Sequence, residues 1–139
     1  MEDQKTETIS GDDRLFSLIS HLAFFIGSFI VPLVIWIIYK DKSKFVRFNS
    51  LQAVFLQGIS AFFVSFAVFN ATIIIEAGKS GARVAKAFTI LFPILLALSV
   101  FLLLGMTVYA VYAGVKSYKG EIVKYPVIGN IIYNKVYKD

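Results

Sequence analysis

The chain holds a single histidine, and it sits where an ionisable group is least expected. His21 lies in the apolar run Leu15 to Tyr39, which has no other acidic or basic side chain. An ionisable group inside an apolar segment is costly to desolvate and marks a site by default. An imidazole titrating near neutrality is suited to relaying protons. If the run is one helix, Ser17 and Ser28 share a stripe with His21. The plainer reading is a neutral imidazole hydrogen-bonded across a helix interface, since no apolar run supplies a partner carboxylate. A second group surrounds the next apolar run: Arg47, Asn49 and Gln52 at its start, with Gln57 deeper. Such amides either line a polar path or join helices by hydrogen bonds worth roughly 0.6–2 kcal/mol each in membranes. Phe45 and Phe48, interleaved with Arg47, belong at a membrane interface or docked on a bundle.

Much other chemistry is excluded. The chain has no cysteine, hence no disulfide, thiolate metal site or catalytic thiol. One histidine rules out a multi-histidine metal site within the chain. The acidic residues all lie in flanks and connectors. The segment GKSGAR at 78–83 resembles a phosphate loop only superficially, lacking the GxxxxGK[ST] spacing and a preceding strand. Neither catalytic residues nor a cofactor are expected, and the protein is read as a non-enzyme.

The elements that must position these side chains are legible in the composition. Of 139 residues, 58% are hydrophobic and 17% charged, against about a quarter charged in soluble domains. The charges cluster between long apolar runs. The expected fold is all-α, an integral membrane helical bundle of three hydrophobic segments making three or four passes. Residues 1–14 form a polar segment expected to be mobile, with Asp12 or Asp13 capping the helix that follows. Residues 15–115 form the transmembrane domain and residues 116–139 a basic interfacial tail. Segment one is Leu15 to Tyr39, with Gly27, Ser28 and Pro32 inside it. It is expected first as one span kinked at Pro32, and second as a hairpin of two half-helices. Segment two runs from Ser50 to Ile75 after the connector Lys40–Asn49, with Asn49 or Ser50 as its cap. Segment three is Phe88 to Val115, after the connector Glu76–Ala87. In the tail, Ile128, Ile131, Ile132 and Val136 have helical spacing and lie among lysines, which predicts an amphipathic helix after Pro126. Small residues at Gln57-Ala61-Ser65 and Ala110-Gly114 spacing predict close helix packing, within one chain or between chains.

The net charge of +5 comes from connectors and tail, and reflects orientation rather than nucleic-acid binding, because the aromatics lie in apolar runs. The positive-inside rule places the connector 40–49 and the tail in the cytoplasm under either pass count. The acidic N-terminus is unlike a secretory leader, so the first apolar run is expected to be retained, in a prokaryotic cell membrane. Lys40, Lys42 and Lys44 are placed to meet anionic headgroups. Copies of the chain or other membrane proteins are the remaining expected partners.

At KDKSKFVRFNSLQAVFLQGI the chain resembles the Tic-like group, meaning the twenty-kilodalton Tic subunit of chloroplast import and its prokaryotic relatives of unknown function. The resemblance rests on Ser43, Phe45, Val46, Arg47, Phe48, Asn49, Gln52 and Ala53. It extends to His21-Leu22, Pro32-Leu33, Ile35-Trp36, Lys119-Gly120-Glu121 and Tyr125-Pro126. It implies a small helical membrane protein, four-spanning in the plastid members, that forms or assists a translocation pathway by helix-helix association. The alternative is a small ion or proton channel or transporter with His21 as the titrating group. The candidate functional residues are therefore Arg47, Phe48, Asn49, Gln52, Gln57 and His21.

Overall fold

The structure, a computed structural model, describes residues 8–80 and 86–138. Residues 1–7 of the polar N-terminal segment and 81–85 of the second connector, including part of GKSGAR, lie outside the described residues. Five α-helices follow in order: α1 (Gly11–Leu22), α2 (Ile30–Tyr39), α3 (Lys44–Ser80), α4 (Lys86–Tyr118) and α5 (Ile128–Tyr137). There is no strand among the described residues.

Segment one is two helices. Ser10 starts α1 with a capping box: its hydroxyl accepts from the Asp13 amide at 3.1 Å, and the Asp13 carboxylate accepts from the Ser10 amide at 3.0 Å. The cap is thus Ser10, with Asp13 reciprocating from the third helical position. A 3₁₀ turn at Ala23–Ile26 ends in Gly27 at φ 61°, a left-handed conformation that glycine adopts without steric cost. The chain reverses there. Phe16 and Tyr39 meet with ring centroids 4.9 Å apart, so α1 and α2 form an antiparallel hairpin. This corrects the expectation of one span kinked at Pro32. Pro32 lies in the first turn of α2, where a missing amide hydrogen costs no intrahelical bond. Gly27, not Pro32, breaks the segment, so Ser28 leaves the stripe shared by Ser17 and His21.

The two long helices run antiparallel: Asn49 meets Ser117, and Leu56 meets Ala110. Each is long and apolar enough to cross a membrane. α3 has 37 residues and α4 has 33, or about 55 and 50 Å at 1.5 Å per residue. α3 begins six residues before the predicted start of segment two. Ser43 accepts from the Val46 amide at 3.3 Å and acts as its cap. Lys44 to Asn49 are therefore helix rather than connector, and neither Asn49 nor Ser50 caps. α4 stops at a glycine. Gly120 has φ 82°, its amide donates to Ser117 O at 2.8 Å, and the Glu121 amide donates to Lys116 O at 3.0 Å. This pair of bonds satisfies two of the last carbonyls of the helix. Lys119-Gly120-Glu121 is a helix stop.

Burial is inverted relative to a water-soluble protein. His21, Asn49, Ser50, Gln52 and Ser117 are at most 1% exposed, while Ile26, Phe62, Phe101 and Val108 are 66–73% exposed. Water rewards the opposite arrangement. A hydrocarbon solvent rewards this one, because polar groups there must be satisfied inside the protein.

Candidate functional site

Most of the enclosed polar groups converge where α1, the start of α3, the end of α4 and the segment leading to α5 meet, while Asn70 and Ser99 are buried farther along the two long helices. Gly114 makes the approach of α1 possible. A Cβ built on it would stand 3.2 Å from Leu18 Cδ1 and 3.3 Å from His21 Cβ. The small-residue spacing on α4 therefore serves packing within the chain. On α3, Ala61 and Ser65 are exposed, whereas Gln57 is buried.

His21 sits at the junction with a partner on each ring nitrogen. Nε2 is 3.2 Å from Asn49 Oδ1, and Nδ1 is 2.8 Å from the Tyr125 hydroxyl. The orientation of Asn49 fixes the rest. Its Nδ2 donates to Phe45 O at 2.9 Å, so Oδ1 faces the imidazole and also the Ser117 hydroxyl at 3.2 Å. An amide oxygen only accepts, so Nε2 carries the hydrogen and Nδ1 is the acceptor. Tyr125 then donates to it. The resulting chain of bonds, Tyr125 to His21 to Asn49, is satisfied by one neutral tautomer. Burial, with a smaller effect of Tyr109, holds the Tyr125 phenol above its ordinary value, which keeps the donating proton in place.

Beside it, the Ser20 hydroxyl donates to Phe16 O at 2.8 Å. Ser50, 3.0 Å away, therefore donates to Ser20. Gln57 continues the contact two turns deeper on α3, with Nε2 3.5 Å from Ser20 O. Gln52 faces the tail. Its Nε2 donates to Val123 O at 2.9 Å, and its Oε1 accepts from the Tyr125 amide at 2.7 Å. One side-chain amide thus holds an extended backbone at two points, as a neighbouring strand would.

Of the candidates read from the sequence, His21, Asn49, Gln52 and Gln57 come together. Phe48 does not join them. It is fully buried against Ile132 and Val136 of α5, with Tyr133 and Tyr137 edge-on at 5.8 and 5.9 Å. Its role is to dock the tail helix. Arg47 lies outside the network, half-buried, with Nε enclosed and lacking a hydrogen-bond partner among the described residues. Lys40, Lys42 and Lys44 are exposed at the same end of the molecule. The predicted tail helix is present. Its buried face holds Gly129, Ile132 and Val136, while Ile131 points outward, 64% exposed. Among the described residues no three His, Asp or Glu side chains come together to hold a metal.

Sequence reasoning missed Tyr125, Ser20, Ser50 and Ser117. The serines carried a weak signal, being hydroxyls in apolar helices. Tyr125 carried almost none, because its importance depends on the tail folding back 104 positions onto His21.

The polar network around His21 falls inside one family match. The model of the magnetosome magnetite crystal formation protein family, MamF/MmsF, matches residues 12–132. The chain belongs to this family. The match overturns the Tic-like resemblance, whose core lies around Arg47 at the start of α3. The match covers α1 through the first half of α5. Comparison with curated proteins and with solved structures found no match.

Proposed function

We propose that this MamF/MmsF protein serves magnetite crystal formation as a structural component of a membrane, working through helix association rather than catalysis. The observation that carries this reading is the inverted burial: polar side chains hydrogen-bonded to one another inside, around His21 and Asn49, and an apolar surface outside. The family match supports the setting. The only histidine has both nitrogens engaged in these hydrogen bonds rather than offered to a metal.

In this reading α3 and α4 are the two spans, and the α1–α2 hairpin enters without crossing. Each hairpin helix is far shorter than the roughly 20 residues a span needs. The N-terminus, the α2–α3 connector and the tail then share one side of the membrane, with eleven Lys and Arg residues against three on the other. That bias makes the tail side cytoplasmic. The exposed Lys40, Lys42 and Lys44 lie at the height of the headgroups on that side, where anionic lipid is their partner.

The test is replacement of the chromosomal gene in a magnetite-forming host. Loss of the protein, or a His21→Ala, Asn49→Ala double variant, should alter crystal number or size. A conservative lipid-facing change, Phe101→Leu, should not. Crystals unchanged after complete removal of the protein would refute the role in crystal formation.

A further inference from the structure

The two ends of the bundle contain different numbers of helices. At the tail end, α1 and α2 lie beside the start of α3 and the end of α4. Ser20 meets Ser50, His21 meets Asn49, and Gly114 receives Leu18. The deepest of these contacts are Gln57 against Ser20, and Phe24 packed on the cluster that holds Leu56 and Ala110. Beyond them, α3 and α4 continue as a pair, with Phe62, Phe69 and Phe101 62–73% exposed.

The hairpin has the dimensions of one leaflet. α1 has 12 residues and α2 has 10, so they reach about 18 and 15 Å. Half of a hydrocarbon core is about 15 Å. The tip of the hairpin is apolar and uncovered: Phe25 is 59% exposed, Ile26 71% and Phe29 52%. Its base is charged, with Asp12, Asp13 and Arg14 at one foot and Lys40, Asp41 and Lys42 at the other. An apolar tip on a charged base is suited to lie at the bilayer midplane with its feet among headgroups. α5 adds to the same side. It is docked by Phe48 at the start of α3 and presents Ile131, while Val127 just before it is 81% exposed.

We propose that the molecule is a membrane wedge, which bends a bilayer or concentrates where it is already bent, with the tail end on the convex face. With helices about 10–12 Å across, the hairpin adds roughly 200 Å² to one leaflet and nothing to the other. Lipids relax that mismatch by curving away from the crowded leaflet, which fixes the sign. The partner is a curved lipid surface, and the feature that recognises it is the half-depth hairpin. The proposal rests on the two-span reading above.

Two measurements on the full-length protein separate the wedge from that reading. The first labels Phe25→Cys, a unique thiol because the chain has no cysteine, and measures its depth by quenching from lipids carrying quenchers at known positions. The expected depth is the midplane. A label at the far headgroups would mean four full passes and would end both readings. The second reconstitutes wild-type protein into small sonicated and large extruded vesicles of the same lipid. The expected result is severalfold enrichment per lipid on the small vesicles, with the tail outward and open to external trypsin. A midplane label with equal density and random orientation on both vesicle sizes would overturn the wedge and leave the two-span reading standing.

Discussion

Tyr125 donates its phenolic hydrogen to Nδ1 of His21 at 2.8 Å, joining the tail to the first helix. Both groups are buried, so each is the other's alternative to an unmet hydrogen bond. Tyr125→Phe should therefore destabilise the bundle by about 1–3 kcal/mol, the cost of leaving Nδ1 buried and unpaired. His21→Phe removes the acceptor and both its bonds. The double variant should lose less than the sum of the two single changes, by about 0.5–3 kcal/mol. Denaturation in detergent reads these values, and strict additivity would show that the pair does not interact.

The same phenol gives a pH dependence. Burial raises its ionisation above the ordinary value. Above about pH 10, the ordinary phenol value, the unfolded chain loses this proton while the folded chain keeps it. Stability contributed by the protonated phenol is thus fully present below that pH and declines as pH rises beyond it. Stability measured in detergent on the two sides of this point should fall more steeply for wild type than for Tyr125→Phe. Parallel curves would place Tyr125 in contact with solvent.

Gln52 holds the tail through two backbone bonds. Gln52→Glu removes the donor to Val123 and buries a charge. α5 should then undock from Phe48, and trypsin should cut faster at Lys119, Lys124 and Lys135. Lys138→Ala, on the exposed end, should digest as wild type does. A Gln52→Glu tail as resistant as wild type would remove the clamp.

The turn into α5 is strained. Val127 has φ 66° and ψ −65°, and the Ile128 amide donates to Pro126 O at 2.8 Å. This is a tight γ-turn, rare for a β-branched residue. Val127→Gly should stabilise the docked tail by about 1 kcal/mol. Two positions on, a Cβ on Gly129 would stand 2.7 Å from the Lys124 carbonyl carbon, so Gly129→Ala should loosen the tail. Protease protection of α5 orders the three proteins, and the opposite order would place the strain elsewhere.

Close approach of α1 is specific to Gly114. Gly114→Leu should separate the hairpin from α4 and lower the stability of the bundle, while Gly105→Ala should not, since nothing lies within 4 Å of a Cβ there. Denaturation in detergent would report the loss. Equal loss from both changes would show that the close approach is not specific to Gly114.

The sequence made some of this architecture readable and hid the rest for definable reasons. The helices of α3 and α4 were evident because hydrocarbon length and apolar composition leave few alternatives. His21, Asn49, Gln52 and Gln57 were found because polar side chains in apolar runs need partners. Pro32 is the expected break in segment one, and the structure breaks it at Gly27 instead. Proline suggests a kink anywhere, but it is harmless in a first helical turn, and the left-handed Gly27 does the reversing. The start of α3 was placed late because Lys44, Arg47 and Asn49 look like connector until Ser43 is seen to cap them. Tyr125 could not be identified from local pattern, since its partner is set by how the tail folds back. The Tic-like resemblance failed in the same region. The family match, which spans nearly the whole chain, assigns it to MamF/MmsF instead.

The central claim is that the polar interior locks the bundle rather than opening a path through it. Nitrogen-15 NMR of the imidazole tests it directly, because the chain has one histidine and histidine-specific labelling gives a single residue. The structure predicts one neutral tautomer, with the hydrogen on Nε2 and Nδ1 accepting from Tyr125, unchanged when the protein moves from detergent into lipid. An imidazolium at neutral pH, or exchange between the two tautomers, would contradict it and turn His21 back into a titrating group on a proton path.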